Sequence, residues 1–239
     1  MNRGFLLSAL LLLIAACASP INAEDVDQFS LEEYNIAAGD TINGSTANLS
    51  NTLLQERIES SYFDPQNVII VQTDQVEWSD SCLGIEQPGM ECIPQSTPGY
   101  QVTLKAKGLQ FVVHSDKVGS NVKPATPGLL WTREGGEQEI CDRLVIYLPD
   151  SAIACWCQSG EIKSASVNLQ EVLSPEEFEQ LIKALRAFSE NTINEASPNG
   201  TPTVMTSMTF FGQGTQFPTS EEQQFLFSLA EAVFTRITP

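Results

Sequence analysis

The residues able to do chemistry are few: one histidine and six cysteines in a chain of 239 residues. His114 is followed by Ser115 and Asp116, the residue types of a nucleophilic triad. Neighbours on a strand point to opposite faces, so the three cannot form the relay that such catalysis needs. Their spacing supports a histidine and an aspartate closing the end of a hairpin. Cys82 and Cys92 fall in one Gly- and Pro-rich loop. In an exported chain such a pair is read first as a disulfide, and a loop of this size contributes roughly 2–3 kcal/mol on the chain-entropy account. The rival chemistry, metal ligation by Cys82, Cys92 and His114, lacks a fourth ligand and any C-x-x-C spacing. No metal and no cofactor is therefore expected. Cys141, Cys155 and Cys157 leave an odd thiol. If Pro149-Asp150 is a hairpin tip, position 141 falls opposite 157 or 158, which favours a Cys141–Cys157 bridge. Cys155 is then left free on the same face, either an inert buried hydrophobe or a reactive thiol.

Composition narrows the classes further. Lys and Arg number 12 against 30 Asp and Glu, a net charge of −18. Such a surface repels phosphate backbones, and with no basic stripe or RNA-binding aromatic motif nucleic acid is excluded as a partner. Arg3 and the apolar run from Phe5 to Ile14 form a secretory leader, because the run is too short to span a bilayer. Leu13-Ile14-Ala15-Ala16-Cys17 after it resembles the bacterial lipobox, which implies lipidation of Cys17 and anchoring on the extracytoplasmic side of a membrane. Cleavage after Ala23 is the alternative and would release a soluble secreted or periplasmic protein. The stretch from Ala18 to Ser50 has no lysine or arginine and reads as an acidic spacer.

The elements that must position these residues follow from periodicity. Leu49, Leu53, Leu54 and Ile58 predict a helix, 67–78 a strand with an irregularity near Asp74, and 99–115 a hairpin turning at Lys107-Gly108. Beyond the Lys123–Gly128 linker, strands are predicted around 129–132, 144–148 and 152–157. A further strand through Val167, Leu169 and Val172 leads to a helix opened by Ser174-Pro175-Glu176-Glu177. That helix presents Phe178, Leu181, Ile182, Leu185 and Phe188. Residues 203–211 predict another strand, and Thr219 with Glu222 opens a last helix whose Phe225, Leu226, Leu229, Val233 and Ile237 face a core. Gly212-Gln213-Gly214 lacks the third glycine of a nucleotide fingerprint and reads as a plain turn. The predicted class is α+β: two small domains, each an antiparallel sheet with one or two packed helices. The layout is a leader at 1–16, a flexible tether at 17–48, and folded units at 49–122 and 127–239.

The run Val76-Glu77-Trp78-Ser79-Asp80, then Leu83-Gly84, Pro88-Gly89-Met90, Pro98-Gly99-Tyr100 and His114-x-Asp116 resembles a short domain of uncharacterised secreted bacterial proteins. Its order of elements is also similar to PepSY-like modules, which implies inhibition or chaperoning of a secreted protease. Trp131-Thr-Arg-Glu-Gly-Gly, Cys141-Asp, Leu173-Ser-Pro-Glu-Glu-Phe and Phe211-Gly-Gln-Gly resemble a segment of bacterial lipoproteins, and that resemblance also implies the Cys141–Cys157 bridge. No nucleophile–base–oxyanion set stands out, so the expected role is a non-enzymatic, membrane-anchored binding module with an envelope protein as partner. A carboxylate-based hydrolase, assembled from distant Asp and Glu residues, is the other class.

Overall fold

The computed structural model describes residues 38–42, 49–85, 91–137, 139–196 and 204–239. The leader, Cys17 and most of the expected tether lie outside these residues. The order is α1 (Leu49–Glu59), β1 (Ile69–Asp80), β2 (Pro94–Ala106), β3 (Leu109–Asp116), β4 (Val122–Pro124), β5 (Thr126–Gly135), β6 (Ile140–Leu148), β7 (Ser151–Gln158) and β8 (Glu161–Asn168). It continues with α2 (Leu169–Val172), α3 (Pro175–Ala187), β9 (Ser189–Ala196), β10 (Val204–Gln213) and α4 (Ser220–Ile237). The strands form a four-stranded sheet, β1-β2-β3-β4, and a six-stranded sheet, β8-β7-β6-β5-β10-β9. Every pairing is antiparallel.

This corrects the expected α+β class, in which each antiparallel sheet carries one or two packed helices. The fold is β-rich, 51% strand against 25% helix. The excess comes from strands longer than their apolar cores and from β9, whose sequence SENTINEA alternates too little to announce a strand. It pairs along only one edge, with β10, as an edge strand can. The chain also passes from β4 to β5 with only Ala125 between them, whose N–H donates to Val112 O at 2.9 Å. One buried apolar cluster then joins Leu54, Ile70, Leu104 and Phe111 to Trp131, Ile146, Phe178 and Phe234 across the two sheets.

Local chemistry explains most boundaries. Both expected capping boxes form, Ser174 with Glu177 and Thr219 with Glu222. Arg236 on α4 donates to both carboxylate oxygens of Glu177 and so ties the two capped helices together. α4 buries Leu226, Phe227, Leu229, Ala230, Val233 and Phe234. The expected Phe225 instead lies at the edge of that face, 37% exposed. Leu169 and Val172 are buried on the short helix α2, not on the expected strand, because Asn168 caps it by accepting from Gln170 N–H. Residues 38–42, assigned to the tether by composition, pair with β1: Gly39 N–H donates to Ile70 O and Ile42 N–H to Val68 O. Ile42 is fully buried there. The β1 irregularities fall at Ile70/Gln72 and Trp78/Asp80 rather than near Asp74.

Candidate functional site

The β2–β3 hairpin turns on Lys107 and Gly108, both at positive φ, as a two-residue turn requires. From that turn the register runs Val102↔Val113, Gln101↔His114 and Gly99↔Asp116. Period-two alternation buries Leu109, Phe111, Val113 and Ser115 and turns His114 and Asp116 to the other face. The triad residues are thus kept apart as their adjacency predicts, with Ser115 buried beneath the strand.

Trp78 reaches this outer face from β1, where it pairs with Thr97. Its indole N–H donates to Ser115 O at 3.0 Å, and its ring stacks on His114 with centroids 4.1 Å apart. The indole crosses Gly99, where a Cβ would lie 2.5 Å from Nε1 and 2.0 Å from Ser115 O. The glycine of Pro-Gly-Tyr is therefore required by both the β3 backbone and the tryptophan.

The loop after β1 closes over the pair. Asp80 accepts from Cys82 and Gly84 N–H at 2.8 and 3.1 Å, which turns Leu83 and Gly84 to positive φ. Leu83 O then lies 2.8 Å from His114 Nδ1. A carbonyl only accepts, so Nδ1 carries the proton and Nε2 the lone pair. Burial holds the imidazole pKa below its ordinary value, partly opposed by that hydrogen bond. Across β4 the cross-strand neighbour is Lys123, whose pKa burial also lowers.

Both expected disulfides form. Cys82–Cys92 fastens this loop, and Cys141–Cys157 joins the open end of the β6–β7 hairpin, each with a Cα separation of 5.4 Å. Asp80 and the sulfurs of Cys82 and Cys92 lie close enough to suggest a metal cluster, but the two sulfurs are bonded to each other. Cys155 is free and buried, and burial raises its pKa against the opposing charge of Arg143 across the strand pair. Cys17, the expected lipidation site, lies outside the described residues.

Past Gly84 the loop sets Ile85 against Val145, Tyr147 and Ile153, on the outer face of the six-stranded sheet. Between this strap and the two sheets is a cleft of about 370 Å³, at the small end of ligand pockets. His114, Gln101 and Tyr147 give it polar groups, and Ile85, Val112 and Pro127 give it apolar walls. Gln101 was not singled out from the sequence. The hairpin register that pairs it with His114 was the available signal.

Elsewhere, Arg57 of α1 donates to Val122 O and to Asp150 Oδ1, both at 2.9 Å. Asp150 is buried at the β6–β7 tip, and its pKa is raised by burial and held back by Arg57. Arg133 donates twice to Asp142 Oδ2. These ion pairs join neighbouring elements.

Residues 50–124, from α1 to the end of β4, match a family described as a domain of unknown function, DUF8738. No curated protein and no solved structure matches the chain. No helix among the described residues is long and apolar enough to cross a membrane. Two disulfides fit a compartment outside the reducing cytoplasm.

Proposed function

We propose that this chain is an exported, membrane-anchored module that acts by binding, through the cleft beside His114, rather than by catalysis. The observation that carries the reading is how the sole histidine is held. Its Nδ1 proton is spent on a backbone carbonyl and one ring face on Trp78. A general base is usually oriented by a carboxylate and presented to a nucleophile, whereas this imidazole is built into a recognition wall. The leader and the lipobox-like Leu13–Cys17 support delivery to the cell envelope, with Cys17 as the lipid anchor.

Two measurements test this reading together. The intact mass of native protein is expected to show an acylated chain beginning at Cys17, and an unmodified start at Glu24 would overturn the anchoring. Affinity enrichment of the tagged, detergent-solubilised protein from its own envelope is expected to retain a defined component. A preparation that retains nothing would overturn binding to an envelope component. Retention of a secreted protease, with stoichiometric loss of its activity, would sharpen the reading to protease control.

A further inference from the structure

The binding reading above leaves the ligand open, and the polar pair in the cleft narrows it. Gln101 and His114 are direct cross-strand partners on one face of the sheet, so their side chains start about 5 Å apart. Neither the Gln101 amide nor His114 Nε2 has a hydrogen-bond partner among the described residues. With Nδ1 protonated, Nε2 can only accept, while the amide both donates and accepts. Among the described residues no carboxylate, ammonium or guanidinium lines the cleft, although the chain carries a net charge of −18. An ionic ligand would lose hydration there with no charged lining group to replace it, Lys123 standing across from His114 but outside the lining. Of the remaining walls, Ile85, Val112, Ala125 and Pro127 are aliphatic, and Gly84, Thr126 and Tyr147 complete the lining. The aromatic surface a sugar ring would stack on is limited: Tyr147 lines the cleft but is buried against Ile85, and one face of Trp78 lies on His114.

We infer that the cleft binds an uncharged peptide segment, an aliphatic side chain resting on Ile85, Val112 and Pro127 while the backbone of the same residue bridges the polar pair. In an extended chain the N–H and C=O of one residue point to the same side. The N–H donates to His114 Nε2 and the C=O accepts from the Gln101 amide, leaving neither group unpaired on burial. The strap fixes which nitrogen accepts, through Leu83 O, and supplies one apolar wall, through Ile85.

The test uses the full mature chain and its single histidine, whose imidazole NMR signals need no assignment. The probes are N-acetyl-leucine N-methylamide, N,N′-diacetylchitobiose and free zwitterionic leucine, each titrated at pH 7.5. The blocked leucine is expected to move the imidazole signals saturably, and the Gln101→Ala variant to weaken that binding about five-fold, the effect of one hydrogen bond. Free leucine is expected to bind at least about ten-fold more weakly, because its charges lack partners. No saturable shift, equal binding by Gln101→Ala, or a response to the acetamido sugar alone would overturn the proposal. If the blocked leucine moves nothing while the tagged protein still retains an envelope component, the cleft assignment falls and the binding reading stands. If neither responds, both fall.

Discussion

The two disulfides have the same Cα separation and do different work. Cys141–Cys157 joins two strands whose ladder already runs from Tyr147↔Ser151 to Arg143↔Cys155, so it extends a register that hydrogen bonds have set. Cys82–Cys92 fastens a loop with little ladder of its own. That loop holds Leu83 at positive φ, places its carbonyl on His114 and carries Ile85 to the other sheet. One bridge reinforces a sheet, and the other shapes a site.

Chain entropy alone makes the two nearly equal, about 3 kcal/mol each for loops of these lengths. The largest expected effect breaks that equality. Cys82→Ser with Cys92→Ser should cost about 4 kcal/mol, because the Trp78–His114 cover loosens as well, while Cys141→Ser with Cys157→Ser should cost about 3. Urea unfolding of both variants checks this, and a second-sheet variant at least as destabilised as the first would remove the distinction.

Gly99→Ala comes next, at about 3 kcal/mol. Its Cβ would overlap a backbone carbonyl as well as the indole, and backbone cannot swing aside. Gly84→Ala should cost about 1–2 kcal/mol, mainly from the positive φ, since its contact with Trp78 at 3.3 Å is only tight. Thermal melts that rank the two in the opposite order would show that the strap, and not the β2 backbone, limits where the indole can lie.

How much of this was legible depended on whether a signal was local. Capping boxes, the Lys107-Gly108 turn and both cysteine pairings depend on residues close in sequence or on one hairpin register, and the structure bears them out. Leu169 and Val172 look strand-like because they follow Val167 in an apolar series, but the Asn168 cap starts a helix there. β9 was hidden because an edge strand needs little apolar patterning. The cleft was invisible for another reason: its walls come from a loop and from strands of both sheets, so no single window holds it. His114 and Trp78 could be singled out, but Gln101, Ile85 and Pro127 became site residues only once the sheets were placed.

The smallest effect concerns acid. Burial keeps the folded-state pKa of His114 below 6.5, so as pH falls through 6.5 the unfolded chain takes up a proton before the folded one does. The stability contributed by the neutral imidazole is therefore present above 6.5 and lost as pH falls towards the folded value. Lys123 opposite and Asp116 two residues along the strand are charged neighbours on the sheet, but burial and the Leu83 carbonyl set the shift. A His114→Asn variant should show a flatter stability profile between pH 7 and 5 than the parent, and identical profiles would show that the imidazole is not held neutral.

The most direct test is the tautomer of the only histidine, read from its two imidazole ¹⁵N shifts at pH 7.5. If Leu83 O holds the ring, the parent shows a protonated Nδ1 and a lone pair on Nε2, and the Cys82→Ser, Cys92→Ser variant drifts towards the mixture of a free imidazole. A parent with its proton on Nε2, or a variant indistinguishable from the parent, would contradict a site shaped by the disulfide-fastened strap.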